Sequence, residues 1–279
     1  MIPTIKDFDN KWDFLVILDA CRYDSFEQVY KEFFKNNNHK LMKGHTIGSC
    51  TADFMIKTFD GKYDDIIYIS GNPNMNSKCA VSGLDQLGQE YYYKGSEHFN
   101  KIVDVWDFGW DEKLGTVPPL QINKAFHREY MRNPDKKFVL HYLQPHLPYI
   151  TLGGNPDPKA KPYQLKKRTD IRQKVKKKIK NKIPEMVKWN IKKFINMPVG
   201  NNVELFWRIG GRELIEEIYK DEIRFALSHV KMLMDHITGD WIITSDHGER
   251  ICQLLKYTHG GKLDKDLREI PILTISNKL

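Results

Sequence analysis

Residues 14–22, Phe14-Leu-Val-Ile-Leu-Asp19-Ala-Cys-Arg22, form an apolar run that ends in charged side chains. A run of the same kind, Trp241-Ile-Ile-Thr-Ser-Asp246-His247-Gly248, lies more than two hundred residues further along the chain. Such runs are typical of parallel strands that are covered on both faces. Ligands of open α/β sheets bind just beyond the carboxyl ends of the strands. We therefore predict that Asp19, Asp246 and His247 meet at one edge of a sheet and hold a cation.

Apolar runs and helical spacings alternate along most of the chain, and this order predicts the fold class. Strands are expected at residues 13–18, 65–70, 101–106, 137–143, 240–244 and 270–275. Helices are expected at 23–35, 118–132 and 212–237, where apolar residues recur every three or four positions. The prediction is an α/β fold with a doubly wound, mostly parallel sheet and helices on both faces.

The 279 residues are predicted to form one α/β domain, 1–279, with a basic helical insertion at 151–211 that acts as a lid or subdomain. Between Lys159 and Lys193 there are 15 Lys and Arg residues and 2 acidic residues, a net charge of +13. The whole chain carries +8, so subtracting +13 leaves −5 for the remainder. The basic character therefore belongs to the insertion and not to the rest of the domain.

Three interpretations of the basic segment 159–193 stay open. A lysine run is most often a solvated helix face. The same composition suits a lid that recruits an anionic substrate, or a surface that lies on an anionic membrane. Contact with nucleic-acid phosphates is the third interpretation. The accompanying apolar residues, including Trp189 and Phe194, favour the membrane or lid role over nucleic acid.

The cysteines and the chain's hydropathy suggest a location. The four cysteines, at positions 21, 50, 79 and 252, show no CxxC spacing, which indicates neither a zinc site nor a disulfide framework. No apolar run is long enough for a membrane span, and the first residues lack the apolar core of a signal peptide. The expectation is a cytoplasmic protein, at the inner membrane surface if the basic segment contacts lipid.

Asp246-His247 is the strongest local signal for metal binding. Carboxylate and imidazole groups both bind divalent ions such as Mn, Mg, Ca or Zn. An isolated Asp-His pair is common by chance, and Asp19 is also a residue type that caps helices. Ligands contributed by two separate strand ends together predict one divalent metal ion.

The segment Gly48-Ser-Cys-Thr51 precedes a short predicted helix. A hydroxyl or thiol beside a divalent cation becomes a nucleophile because the cation lowers its pKa. A helix N-terminus also favours a bound anion. The structural alternative is a capping Ser or Thr next to a buried Cys. Ser49, Cys50 and Thr51 are thus all candidate nucleophiles.

Four other residues are candidates for substrate contact. His146 follows a predicted strand and is suited to donate a proton to a leaving group, although a surface-loop histidine would look the same. His259 and Lys262 lie in a glycine loop suited to an oxyanion, and an ordinary surface turn explains them as well. Arg22 can bind a phosphate or sulfate through two N–H groups, or form an ion pair with Asp24.

In their order along the chain these motifs resemble the alkaline phosphatase superfamily. Within it they resemble the sulfatase-like branch, which includes phosphoethanolamine transferases and lipoteichoic acid synthases. The matching segments are 18–22, 49–51, 144–149, 245–248, 259–262 and 268–273. The resemblance covers most of the chain outside 151–211. It implies metal-dependent hydrolysis or transfer of a phosphate or sulfate ester through a covalent intermediate.

The resemblance also implies a role for each site residue. The metal would be held by Asp19, Asp246, His247 and the nucleophile. The substrate's anionic oxygens would lie near the basic candidates, which are Arg22, His259 and Lys262, with Cys50 beside them. His146 would act on the leaving group.

The chain departs from the sulfatase pattern in three places. Sulfatases use a modified cysteine within C-x-P-x-R, whereas residues 50–54 are Cys-Thr-Ala-Asp-Phe. This favours an unmodified nucleophile, with Thr51 first, Cys50 second and Ser49 third. The loop 144–146 has no aspartate, which argues for one metal ion rather than two. Ala20 stands where many sulfatases have a second aspartate.

The functional prediction is therefore a metal-dependent hydrolase or transferase of a phosphate ester or phosphodiester, with the covalent intermediate on Thr51. One alternative is a sulfuric ester hydrolase that uses Cys50. Another is a degenerate member that binds an anionic phosphate- or sulfate-containing ligand without turning it over.

Overall fold

The structure of the 279-residue chain is a computed structural model. It describes residues 6, 11–35, 37–84, 90–154, 185–199, 202–251 and 264–278. Most of the basic segment, residues 159–184, lies outside this described part, and so does the glycine loop at 259–262.

Seven strands form the main sheet: β1 (Phe14–Asp19), β2 (Asn38–His45), β3 (Tyr63–Ser70), β6 (Phe99–Asp104), β7 (Lys137–Pro145), β8 (Asp240–Ser245) and β9 (Glu269–Ser276). Their order across the sheet is β2-β9-β8-β1-β7-β3-β6. Strands β8, β1, β7, β3 and β6 run parallel to one another, and β9 runs antiparallel to both of its neighbours. A separate two-stranded sheet pairs β4 (Val81–Leu84) with β5 (Glu90–Tyr93).

The helices of the described residues are α1 (Tyr23–Val29), α2 (Lys31–Phe34), α3 (Thr51–Thr58), α4 (Val105–Phe108), α5 (Pro119–Tyr130), α6 (Glu185–Phe194), α7 (Asn202–Met234) and α8 (Lys265–Arg268). Helix α7 bends at Gly211, whose φ of 63° and ψ of −147° are not helical. A positive φ of this kind is readily adopted only by glycine. No helix in these described ranges is long and apolar enough to cross a membrane.

Strand β1 shows how the core forms on both faces of the sheet. Phe14, Val16 and Leu18 belong to one buried apolar cluster, and Leu15 and Ile17 belong to the cluster on the opposite face. Successive side chains of a strand point to opposite faces, so a strand covered on both sides is apolar throughout. Each fully buried side chain of this size contributes about 1.5–3 kcal/mol to folding.

The predicted fold class is confirmed, since the sheet is mostly parallel and carries helices. All six predicted strands are present. The sequence did not predict β2, which is a half-exposed edge strand of mixed composition that pairs with β9 alone. Residues 105 and 106, predicted to end a strand, begin α4 instead. The helix predicted at 212–237 corresponds to the part of α7 that follows the kink at Gly211 and ends at Met234, and another helical stretch, 202–210, precedes the kink.

Candidate metal centre and nucleophile

Asp19, Asp246 and His247 are fully buried, and their ligand atoms all lie within 4.8 Å of one another. The sheet explains why residues so far apart in sequence meet. Strands β1 and β8 are parallel neighbours, with Leu18 in register with Ser245. The residue that ends β1 and the residue that follows β8 therefore reach the same edge of the sheet together.

The donor atoms of this cluster suit a cation. Asp19 Oδ1 and Asp246 Oδ2 are buried and have no hydrogen-bond partner among the described residues. His247 Nε2 lies 3.7 Å from Asp19 Oδ1 and 3.4 Å from Asp246 Oδ2. Buried polar atoms left without a partner are costly and rare. Two carboxylate oxygens and one imidazole nitrogen are ligands that divalent ions accept, so the residues present fit one divalent metal ion.

The two carboxylates differ in their tendency to ionise. Burial raises the pKa of Asp19 well above its usual range, the negative charge of Asp246 raises it further, and a hydrogen bond from Asn72 opposes both. Burial acts the same way on Asp246, but the His247 and His141 imidazoles and donors that include the Ala20 N–H outweigh it, so the pKa of Asp246 is lowered. A bound cation would relieve the repulsion between the carboxylates.

Asn72 connects the metal cluster to the candidate nucleophile. It follows β3 and is buried, and its side-chain nitrogen donates to Asp19 Oδ2 at 2.7 Å and to Thr51 Oγ1 at 3.2 Å. Its side-chain oxygen accepts the Asn74 N–H at 2.9 Å. That bond fixes the amide with its nitrogen toward Asp19 and Thr51. Asn72 was not predicted as a site residue from the sequence, although its place directly after a predicted strand was a signal.

Thr51 is the first residue of α3 and is buried against the cluster. Besides contacting Asn72, its side chain is among the groups that stabilise the ionised form of Asp246. The helix N-terminus adds partial positive charge at this position. The chain reaches the site through Gly48, where a Cβ would lie 2.3 Å from the backbone nitrogen of Phe54. Only glycine fits there.

The other two candidate nucleophiles have different surroundings. Cys50 is partly buried, and burial together with the nearby charges of Asp53 and Asp246 raises the pKa of its thiol. A thiol with a raised pKa stays protonated and is a weak nucleophile. Ser49 is buried, and its backbone N–H donates to Asp53 Oδ2 at 3.1 Å. Of the three side chains, that of Thr51 is the one that bonds to Asn72.

The backbone of residues 18–21 holds Asp246 in place. Ala20 has a positive φ of 61°, which is uncommon outside glycine and directs its N–H to Asp246 Oδ1 at 3.0 Å. Its carbonyl accepts the Tyr219 hydroxyl at 2.5 Å. Ser245 Oγ donates to the Leu18 carbonyl at 2.6 Å and accepts the Cys21 N–H at 2.8 Å. These bonds tie the ends of β1 and β8 to each other and to α7.

His141 is a buried histidine near the cluster that the sequence analysis did not select. It lies on β7, in register with Ile17 of β1 and Ser70 of β3. Its Nδ1 is 2.9 Å from the Tyr68 hydroxyl, and its Nε2 has no hydrogen-bond partner among the described residues. Burial lowers the pKa of His141 to about 4, although Asp246 favours the charged form. The imidazole is therefore neutral at ordinary pH.

Arg22 is engaged with neighbouring acidic groups, which is the structural alternative considered from the sequence. Its Nε and Nη2 donate to the two oxygens of Asp24 at 2.9 and 2.5 Å. Its Nη1 donates to the Glu249 carbonyl at 3.1 Å and lies 3.3 Å from Asp266 Oδ2. An anionic substrate would have to displace some of these bonds.

The loop that carries His146 follows β7 at the same edge of the sheet. Pro145 is in register with Asp19, so His146 begins the next stretch of chain beside the metal cluster. Its Nδ1 lies 2.6 Å from the Leu147 carbonyl. His259 and Lys262, the other two predicted substrate contacts, lie outside the described residues.

A buried carboxylate of α7 anchors the far end of that loop. Glu222 accepts the Ile150 N–H at 3.0 Å, the Thr151 N–H at 3.1 Å and the Thr151 hydroxyl at 2.9 Å. Burial raises the pKa of Glu222, and these three donors oppose the rise. The loop is therefore fixed to β7 at one end and to α7 at the other.

Solved structures with this fold include bacterial transferases, whereas no protein-family model and no curated protein matches the chain. The soluble domain of lipooligosaccharide phosphoethanolamine transferase A from Neisseria meningitidis has a TM-score of 0.56 and 12% identity. The alignment covers 94% of this chain and 75% of that domain. For the integral membrane protein of the same name the TM-score is 0.55 and the identity 11%, with 95% and 47% covered. The chain thus spans about half of that full-length protein.

A third similar structure is the C-terminal periplasmic domain of a phosphoethanolamine transferase from Campylobacter jejuni. Its TM-score is 0.53 and its identity 14%, with 99% of this chain and 83% of that domain covered. At these identities the likeness establishes a shared fold. It confirms the resemblance in fold to the branch that includes phosphoethanolamine transferases.

The predicted cytoplasmic location is wrong by the same comparison. The Campylobacter structure is a periplasmic domain, and the full-length Neisseria protein is an integral membrane protein. The prediction depended on cysteines without CxxC spacing and on the lack of an apolar run typical of a membrane span or signal peptide. Cys21, Cys50 and Cys79 are free cysteines, so they form no disulfide framework among the described residues. Free cysteines do not identify the compartment of a protein.

Proposed function

We propose that this protein is an enzyme that hydrolyses or transfers a phosphate ester, with Thr51 as the nucleophile. One divalent cation would be held by Asp19, Asp246, His247 and the Thr51 hydroxyl. The observation that carries the proposal is that the Asn72 amide donates to both Asp19 and Thr51, while Asp19 Oδ1 and Asp246 Oδ2 are buried with no hydrogen-bond partner among the described residues. A purely structural threonine at a helix start needs no such neighbours.

The substrate class is supported by the fold and by the surroundings of the nucleophile. The similar Neisseria and Campylobacter structures are phosphoethanolamine transferases. The sulfuric ester alternative needs a modified Cys50, and residues 50–54 lack the proline and arginine of the sulfatase motif. The raised pKa of Cys50 also disfavours its use as an unmodified thiolate.

The chain's own groups account for the proposed first step. Thr51 Oγ1 would release its proton to solvent and attack phosphorus, and the bond from phosphorus to the leaving alcohol oxygen would break, leaving the phosphoryl group on Thr51. Asn72 orients the attacking hydroxyl, and the α3 N-terminus stabilises negative charge on it. A bound divalent cation supplies positive charge that favours ionisation of a hydroxyl and neutralises a substrate oxygen.

The remaining roles are proposals for residues around this centre. His146 would protonate the leaving oxygen, since its loop begins beside Asp19. Arg22, His259 and Lys262 would contact the non-bridging oxygens, Arg22 after giving up part of its pairing with Asp24. Water or an acceptor alcohol would then take the phosphoryl group from the threonine.

The test compares substitutions at adjacent residues on chromogenic substrates, bis(4-nitrophenyl) phosphate and 4-nitrophenyl phosphate, with added Mn²⁺. Thr51→Ala should lower kcat/KM by about a thousandfold or more, because it removes the attacking atom. Thr51→Ser should retain part of the turnover, and the matched control Cys50→Ser should stay close to the wild type. Full activity of Thr51→Ala, or loss of activity in Cys50→Ser alone, would contradict the assignment.

Two further measurements separate an active enzyme from a degenerate one. Acid quenching during turnover, followed by peptide mass spectrometry, should find one phosphoryl group on Thr51. Metal analysis should find one divalent ion per chain in the wild type and a clear loss in Asp246→Asn. A wild-type protein that binds no metal and turns over neither substrate would support the degenerate alternative.

A further inference from the structure

Helix α6 and the first turns of α7 form a packed unit outside the candidate site. The rings of Trp189 and Trp207 lie 6.2 Å apart, and Trp207 Nε1 donates to Asn190 Oδ1 at 3.1 Å. Glu204 is buried between the helices, where it pairs with Lys192 at 3.3 Å and with Arg208. The Lys192–Glu204 pair and the Trp207–Asn190 hydrogen bond join the two helices, so the unit presents a defined outer surface.

That outer surface is apolar along one side of α6. Val187, Ile191 and Phe194 are spaced by four and three residues and so share one helix face. Their exposed fractions are 37%, 50% and 88%, and Ile195, the next residue after α6, is 56% exposed. We call these four residues the apolar face of α6. Met186 and Trp189 lie on the opposite side and are buried, so the helix has two apolar sides and the packed unit covers only one.

The apolar face lies in a strongly cationic part of the chain. Lys188 and Lys193 are on α6, and residues 159–182, which precede it in sequence, supply most of the +13 charge of the segment 159–193. Glu204, the acidic residue between α6 and the bend in α7, is buried and paired. Helix α6 itself carries a net positive charge, with three lysines at 188, 192 and 193 against Glu185, and this charge attracts anions.

We propose that the apolar face of α6 docks on an anionic lipid bilayer. Helices that lie in a membrane interface combine Phe and aliphatic residues on one side with Lys on the other. Protein–protein interfaces are depleted in Lys at their core, which makes a protein partner the poorer match for this composition. Acidic headgroups complement the lysines while the acyl boundary takes up Phe194 and its neighbours. This proposal does not require that Thr51 be the nucleophile.

Docking at this surface would be linked to the site by α7. This helix starts in the packed unit, bends at Gly211 and continues to Tyr219 and Glu222. Tyr219 bonds to the backbone beside Asp19, and Glu222 anchors the loop after His146. Helix α7 therefore connects the packed unit that carries the apolar face to the candidate site, across the bend at Gly211.

The experiment is co-sedimentation of the whole chain with vesicles of phosphatidylcholine alone or mixed with phosphatidylglycerol. The wild type should bind the mixed vesicles, bind the neutral ones far less, and be released by salt. Ile191→Ser combined with Phe194→Ser should weaken binding by about tenfold or more, since it removes two exposed apolar side chains. Phe108→Ser, on α4, is the matched control because Phe108 is 59% exposed, and it should bind like the wild type.

Each other outcome would overturn the docking proposal. Far-ultraviolet circular dichroism should be unchanged in the double variant, because both side chains are exposed, so lost binding is not lost folding. Equal binding of the double variant and the wild type would show that the apolar face of α6 does not contact the vesicle. Absence of binding to acidic vesicles would exclude an anionic bilayer as the partner of this face. A concentration-dependent dimer in light scattering that the double variant lacks would assign the face to a second copy of the chain.

Discussion

The side-chain nitrogen of Asn72 lies 2.7 Å from Asp19 Oδ2, so an amide at the end of β3 orients a carboxylate at the end of β1. The strand β7 separates those two strands in the sheet. Asn72 spans this gap because the chain turns back after Ser70, whose hydroxyl donates to the Asn72 carbonyl at 2.7 Å. Groups that orient metal ligands contribute to metal affinity without touching the metal.

Asn72→Ala should lower metal affinity or kcat/KM by about 10- to 100-fold, the usual cost of removing a group that orients a ligand. Both Asp19 and Thr51 lose their donor in this variant. Metal titration and steady-state kinetics on the chromogenic esters measure the two effects. Asn74→Ala is the control, because the contact of Asn74 with Asn72 is made by its backbone N–H. Equal losses in both variants would mean that the turn, and not the amide, matters.

Asp19→Asn should abolish turnover and yet stabilise the metal-free protein at neutral pH by roughly 0.5–2 kcal/mol, a common trade-off at active sites. The pKa of Asp19 is raised in the folded state. Above pH 3.8, the ordinary pKa of Asp, the unfolded chain ionises Asp19 more readily than the folded chain does, so the free energy of unfolding decreases as pH rises. The neutral amide of Asn does not ionise and avoids this loss. Denaturant unfolding in chelator from pH 4 to 8 should show a difference that grows with pH. A less stable variant throughout this range would contradict the prediction.

His141→Gln should reduce the loss of stability on acidification. The pKa of His141 is about 4 in the folded protein, against an ordinary value of 6.5, so the unfolded chain binds a proton that the folded chain excludes. Stability is complete above pH 6.5 and falls as pH drops toward 4, by at most about 1.4 kcal/mol per pH unit. Unfolding of metal-free protein between pH 4.5 and 7.5 measures the slope. His127→Gln, at an exposed position of α5, is the control, and equal slopes in both variants would refute this account.

Glu222→Gln should destabilise the fold by about 1–3 kcal/mol and slow turnover, because an amide N–H₂ would replace an oxygen that accepts hydrogen bonds. Ile150 and Thr151 would lose part of their anchor, and the His146 loop would become less well placed. The control is Asp221→Asn, since Asp221 is exposed and pairs with Arg224 on the surface. Thermal unfolding should show a lower Tm for Glu222→Gln than for Asp221→Asn, and steady-state kinetics should show a lower kcat. A Glu222→Gln protein with wild-type kcat would show that the loop does not depend on this anchor.

The sequence predicted the central sheet because its strands are buried on both faces and hence uniformly apolar. Strand β1, with every residue buried, is the clearest example. Strand β2 has the opposite character: it is an edge strand, Asn38-His-Lys-Leu-Met-Lys-Gly-His45, and its pairing with β9 comes from tertiary contact. Local composition carries little information about such a strand.

The meeting of Asp19, Asp246 and His247 was predictable because these residues adjoin strand ends, where parallel topology concentrates functional residues. Asn72 and His141 were not predicted, because amides and buried histidines also occur for purely structural reasons. Their significance depends on distances of 2.7 to 3.2 Å across strands. The engagement of Arg22 by Asp24 was foreseen as an alternative, but the additional contacts with Glu249 and Asp266 require the folded chain.

The pairing of β1 with β8 has a consequence for biogenesis. The first strand emerges from the ribosome long before its partner, and Asp19 acquires Asp246 and His247 as neighbours only after residues 240–247 have been made. Contacts so distant in sequence form late and slowly. Metal uptake should therefore report completion of folding: a nascent chain released before β8 would present Asp19 alone and retain no ion.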